Sequence, residues 1–125
     1  MGRYVILRHD FPTRHNAVHW DLMVESGTAL RTWALDEAPA AGVAIAAEQL
    51  PDHRLAYLDY EGPVSGDRGS VSRWDTGQFT MLSDSPGRLA VRLTGNLLNG
   101  VATLSRPSEG THVWKFTFEP QAPDS

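Results

Sequence analysis

Short runs of β-branched, aliphatic and aromatic residues, cut at close intervals by Gly, Pro, Asn, Asp or Ser, recur along this 125-residue chain and confine it to a fold built from strands. They occupy residues 4–7, 19–25, 29–35, 55–60, 69–74, 78–82, 88–94, 100–105 and 113–118. Many short strands at such spacing are the signature of an antiparallel barrel or sandwich, so the expected class is mainly all-β with one or two short helices. Residues 88–94 and 100–105, joined through Gly95-Asn96 and Asn99-Gly100, read as a hairpin. Trp74-Asp75-Thr76-Gly77 reads as a turn after a strand. The alanine-rich stretch 38–49 is compatible with a short helix, but Pro39 and Gly42 weaken its first half and a loop followed by a strand fits nearly as well. No internal repeat is visible.

A hydrophobic content of 41% over this length suits one compact domain, expected over residues 1–119, with residues 120–125 as a flexible tail. The absence of cysteine removes disulfides, thiolate metal sites and cysteine nucleophiles, so any metal must be held by His, Asp or Glu. No apolar run reaches the length of a membrane helix, and charge interrupts the N-terminal stretch too early for a secretory signal, which leads to the expectation of a soluble, cytoplasmic protein. A formal charge of −4 argues against sequence-independent coating of duplex DNA, while leaving room for a local basic pocket that takes one strand end.

The chemistry-bearing residues gather near the N-terminus: His9-Asp10, then His15, then His19-Trp20-Asp21-Leu22. On a strand over 19–25, side chains alternate between faces, so His19 and Asp21 share one face while Trp20, Leu22 and Val24 occupy the other. Two imidazoles and a carboxylate suit Mn²⁺, Fe²⁺, Zn²⁺ or Ni²⁺, and three protein ligands leave coordination positions open. The alternative is a group of surface histidines beside a strand. His15, in the intervening loop, is either an extra ligand or solvated, and Asp10 either orients His9 or caps the loop. A second constellation, Asp52-His53-Arg54-Leu55-Ala56-Tyr57, offers in His53 and Tyr57 two donors for a phosphate oxygen or a leaving group. His112 has no accompanying carboxylate and reads as structural or exposed. Trp20, Trp33, Trp74 and Trp114 read as core fillers rather than base-stacking platforms. Gly-rich phosphate loops, nucleophile elbows and CxxC motifs are all missing from the sequence.

In order along the chain, Val5-Ile6-Leu7-Arg8-His9-Asp10, His19-Trp20-Asp21-Leu22, Thr32-Trp33-Ala34-Leu35, Asp52-His53, Tyr57, Tyr60-Glu61-Gly62, Trp74-Asp75-Thr76-Gly77 and the later Leu93-Thr94-Gly95, Leu98-Asn99-Gly100 and Trp114-Lys115 resemble the 3′-phosphoesterase domain of bacterial DNA ligase D and its stand-alone relatives. The resemblance implies a small antiparallel β-barrel carrying a Mn²⁺-type ion. It also implies trimming of DNA 3′ ends, by removal of a terminal ribonucleotide or a 3′-phosphate, ahead of end joining; a DNA 3′ end or a small phosphoester is the expected substrate, and separate ligase or polymerase repair proteins are possible partners that the sequence does not reveal. It places the metal ligands on His9, His19 and Asp21, and the phosphate-facing pair on His53 and Tyr57. The family's cations two residues after the metal aspartate and in the Trp-Ala-Val-Pro-Lys stretch correspond to Met23 and Glu37 here. A further family arginine falls on Ile45, an acidic position on Pro51, and the loop between His9 and His19 is longer. Arg8, Arg14, Arg31, Arg54, Arg68 and Arg73 are the candidates for replacement charge. The residues and this resemblance together imply a divalent-metal phosphoesterase acting on nucleic-acid 3′ ends or a smaller phosphoester. Its rivals are a metal-binding module that recognises a strand end or protein partner without turnover, and a metal-free β-barrel adaptor.

Overall fold

The computed structural model of the chain describes residues 1–12 and 17–121. Arg14, His15 and residues 122–125 of the expected tail lie outside the described residues. Among the described residues the strands are β1 (Gly2–Asp10), β2 (Val18–Ser26), β3 (Ala29–Leu35), β4 (Ile45–Arg54), β5 (Gly62–Pro63), β6 (Ser70–Ser85), β7 (Arg88–Gly95), β8 (Asn99–Ser105) and β9 (Val113–Pro120). Each neighbouring pair is antiparallel, in the order β1-β2-β3-β4-β9-β8-β7-β6, and β6 returns to pair with β1, so that the sheet closes into a barrel. Two-residue β5 adds to the far side of β6. Closure removes the unpaired edges that an open sheet of short strands would expose. No helix among the described residues is long and apolar enough to cross a membrane.

Period-two alternation sorts the side chains into two apolar clusters. Tyr4, Ile6, Leu22, Val24, Trp33, Leu35 and Phe116 fill the barrel interior, with Trp114 edge-on to Trp33 at 5.6 Å and Trp20 and Trp74 packed against the cluster, so all four tryptophans serve the core as expected. The intervening residues Val5, Leu7, Met23 and Leu30 face outward, yet they are buried, because Leu58, Val64 and Val71 form a second cluster over them. The segment between β4 and β6 thus covers one patch of the barrel's outer wall. Arg3 fastens it to β1 through a 2.8 Å ion pair with Asp59.

That covering role explains one departure from the expected pattern. Residues 55–60 form no strand; Leu55–Asp59 is a 3-10 helix, the sole helical element among the described residues, and its apolar side chains cap the outer cluster instead of alternating across a sheet. Residues 38–49 contain no helix either: a connection bridged to Phe118 at Ala41 and Gly42 leads directly into β4. Nor is Trp74-Asp75-Thr76-Gly77 a turn. It lies inside the 16-residue β6, where the register moves from Ile6 opposite Asp75 to Leu7 opposite Arg73 and leaves Trp74 as the extra residue of a bulge.

The bulge has a structural purpose. It turns Asp75 into the barrel, where it is 2% exposed, accepts the Tyr4 hydroxyl at 2.6 Å and receives the Leu97 and Leu98 amides at 2.8 and 3.2 Å. The β7–β8 hairpin forms as expected, and Asp75 closes its connection from inside. Gly77 and Gly95 allow the close approach this needs, since a Cβ on Gly77 would lie 2.1 Å from the Thr94 carbonyl oxygen and one on Gly95 1.8 Å from the Tyr4 hydroxyl. Burial and the Asp75 carboxylate together push the Tyr4 phenol far above its ordinary pKa.

Candidate metal centre

The β1–β2 register places His9 directly opposite His19, with Leu7 opposite Asp21. His19 and Asp21 are two apart on one strand and therefore share the outward face, so a cross-strand pair and one diagonal neighbour converge. One ligand atom from each of His9, His19 and Asp21 lies within 4.8 Å of the others. The individual contacts are 3.2 Å from His9 Nδ1 to Asp21 Oδ2 and 3.2 Å from His19 Nε2 to Asp21 Oδ1. Ligands about 2.1 Å from a tetrahedral ion stand roughly 3.4 Å apart, which the two histidine–aspartate contacts approach, and the whole set, within 4.8 Å, needs only small shifts to meet on one cation.

The protonation pattern fits it as well. His9 Nε2 lies 2.7 Å from the Arg68 carbonyl oxygen, and because a carbonyl only accepts, Nε2 carries the proton. With Nε2 committed to that carbonyl, Nδ1 is the nitrogen that faces the Asp21 carboxylate, and the pair is satisfied either by a second proton on His9 or by a metal ion between them. His19 and Asp21 are 2% and 3% exposed, so solvent does little to screen that demand. Burial alone would raise the Asp21 carboxyl, but hydrogen bonding and charge from His19 and His9 outweigh it and hold the group below its ordinary range. Asp21 is thus an anion with an attraction for cations.

The triad forms part of the lining of a cleft of about 430 Å³ in the outer barrel wall, between the end of β4 and the segment Val64 to Val71. His53 and Tyr57 line the same cleft, with their rings edge-to-face at 5.6 Å. Both sequence-derived groups, the metal triad and the phosphate-facing pair, therefore meet in one place. His53 gets there through a second bulge: Thr32 faces Leu50 but Leu30 faces His53, so the Pro51-Asp52 step supplies one residue too many and rotates His53 onto the outward face. Proline inside a sheet is tolerated at such a bulge. The His53 Nδ1 hydrogen is donated to the Pro51 carbonyl at 2.9 Å, which leaves Nε2 as the nitrogen available to a ligand.

The positions that differ from the family pattern divide sharply. Met23, 1% exposed, and Pro51 line the cleft, whereas Glu37 lies exposed outside it. Ile45 faces the barrel interior, so that position offers no side chain to the cleft. Of the candidate replacement cations, Arg54 and Arg68 line the cleft. Arg31 instead pairs with Asp84 at 3.2 Å and lies over Trp33, and Arg8 approaches Asp10 at 3.5 Å. His112 is exposed. Two contributors were missed at the level of sequence. Phe11 stacks on His9 at 5.5 Å, and the Arg68 main chain orients it. The signal for the second was the turn-forming run Ser65-Gly66-Asp67-Arg68-Gly69, whose partner in space the sequence does not reveal.

A family model of the DNA Ligase D 3′-phosphoesterase domain matches residues 9–106, a span that contains His9, His19, Asp21, His53 and Tyr57. The chain is also 32% identical, over 108 residues, to the multifunctional non-homologous end joining protein LigD of Pseudomonas aeruginosa, a match that takes in 78% of this chain and 12% of that much longer protein. By these matches, the chain belongs to the DNA ligase D 3′-phosphoesterase domain family.

Proposed function

We propose that the protein is a divalent-metal phosphoesterase that processes DNA 3′ ends, removing a terminal ribonucleotide or a 3′-phosphate in strand-break repair. The observation that carries this is the opening of the His9, His19 and Asp21 donor set into the same cleft as His53 and Tyr57. A bound Mn²⁺-type ion would polarise a phosphoryl oxygen and acidify a coordinated water. Asp21 contributes the negative charge that holds such an ion, and the two imidazoles complete a neutral-plus-anionic set suited to it. His53, anchored through Nδ1, offers Nε2 to the phosphate, as a donor that stabilises charge or protonates the leaving oxygen. The Tyr57 hydroxyl offers a further donor. Arg54 and Arg68 supply positive charge where β2 supplies only Met23.

The test is incubation with a primer-template that ends in a 3′-ribonucleotide, and with one that ends in a 3′-phosphate, with and without Mn²⁺. Metal-dependent release of nucleoside or phosphate, lost in His19→Ala, supports the proposal. The buried, apolar Met23 beside the triad favours a second reading, a metal-binding module for strand ends whose hydrolysis has been weakened. Tight Mn²⁺ binding with no turnover on either substrate would establish that reading instead.

A further inference from the structure

We propose that Arg68 serves the cleft from both ends, its carbonyl selecting which nitrogen of His9 is offered to the metal and its guanidinium acting as the phosphate-facing cation. This rests on the metal-phosphoesterase reading and names the residue that positions its first ligand. The Arg68 carbonyl takes the Nε2 proton of His9 at 2.7 Å, which reserves Nδ1 for coordination and points it toward Asp21 Oδ2, 3.2 Å away. A ligand histidine held through its second nitrogen is already oriented, and is more basic than a free one.

The loop that presents this carbonyl is closed on itself and pressed against β1. The Val64 amide donates to the Gly69 carbonyl at 2.8 Å. Arg68 Nε donates to the Ser65 carbonyl at 2.7 Å, and Nη2 lies 3.2 Å from Ser65 Oγ. The guanidinium of Arg68 is thus tied to the turn, while its main chain is held independently by its amide, which donates to the Val64 carbonyl at 3.4 Å. Gly69 permits the contact with β1: its φ is +80°, and a Cβ there would sit 1.8 Å from the carbonyl oxygen of Asp10, the residue after His9. Any larger residue must move either the loop or the strand that carries the ligand. Arg68 lines the cleft, and its guanidinium, held at Ser65, keeps the remaining N–H groups on Nη1 and Nη2 for a phosphate oxygen, at little cost in ordering.

Two variants and one spectrum test the two ends separately. Arg68→Ala keeps the carbonyl, so Mn²⁺ affinity should stay within about threefold of wild type, while inhibition of the Mn²⁺-loaded protein by inorganic phosphate, or phosphate binding by calorimetry, weakens tenfold or more. Gly69→Ala should weaken Mn²⁺ binding tenfold or more. In case that variant does not fold, long-range ¹H–¹⁵N spectra of the Zn²⁺-loaded wild type read the site directly: Nδ1 of His9 should carry the metal and Nε2 the proton. Coordination through Nε2 would overturn the proposal, as would unchanged Mn²⁺ affinity in folded Gly69→Ala, unchanged phosphate binding in Arg68→Ala, or a wild type that binds neither ion. Coordination through Nδ1 in a protein without turnover would sink the phosphoesterase reading and leave the role of the carbonyl standing.

Discussion

His53 stands opposite Leu30, one residue beyond where an unbroken ladder from the Thr32–Leu50 pair would end, and that single extra residue places its ring in the cleft. An imidazole on the cleft wall, supported by Pro51 and Tyr57 rather than by the triad, is separable from metal binding. His53→Ala should leave Mn²⁺ affinity within about threefold while lowering turnover by ~10²-fold or more, the usual size of a lost acid–base or charge-stabilising group. Parallel metal titrations and single-turnover assays check it; a proportionate fall in both quantities would place His53 among the ligands.

Metal affinity should weaken on acidification, because an imidazole that has taken a proton cannot ligate. Between pH 7.5 and 5.5 the loss should be roughly tenfold or more with two histidines in the set. Mn²⁺ titrations at the two pH values would contradict the ligand assignment if the affinities agreed.

The depressed Asp21 carboxyl has a consequence for the metal-free fold. Because the folded pKa lies below the unfolded one, the anion's contribution is complete above the ordinary carboxylate range of about 3.9 and is lost as pH falls through the folded value. Thermal melts of the metal-free protein from pH 6 to pH 2 should show a steeper acid decline in wild type than in Asp21→Asn. Superimposable acid limbs would show that the two imidazoles do not stabilise the carboxylate.

Tyr4 and Asp75 form the corresponding polar contact inside the barrel. Tyr4→Phe removes one of three partners of a buried carboxylate and should cost about 1–3 kcal/mol, read as a lowered Tm. The sign with pH is opposite to that of Asp21. The phenol is raised, so its contribution is complete below the ordinary tyrosine range of about 10 and declines as pH climbs beyond it. An alkaline limb equally steep in Tyr4→Phe would assign the decline to other groups.

Much of this was legible in the sequence because alternation carries face information. Val5, Leu7, His9 and Ile6 separate by parity alone, as do His19 and Asp21 from Trp20 and Leu22. What parity does not carry is a change of parity. The bulges at Trp74 and at Pro51-Asp52 each insert one residue, and turn-forming composition there looks the same as a true turn. The 3-10 helix at Leu55–Asp59 was obscured for another reason: its apolar residues answer to Val5, Leu7 and Met23, which are distant in sequence. Ile45 shows the same limit, since a position matched to a family arginine along the sequence does not reveal that its side chain faces inward.

The central claim is that His9, His19 and Asp21 hold one divalent ion together. Electron paramagnetic resonance of free Mn²⁺ during titration measures it without reference to any substrate. Wild type should take up one ion per chain, with at least a hundredfold loss of affinity in folded His19→Ala and in folded Asp21→Asn. Equal uptake by all three proteins, or none by wild type, would contradict it.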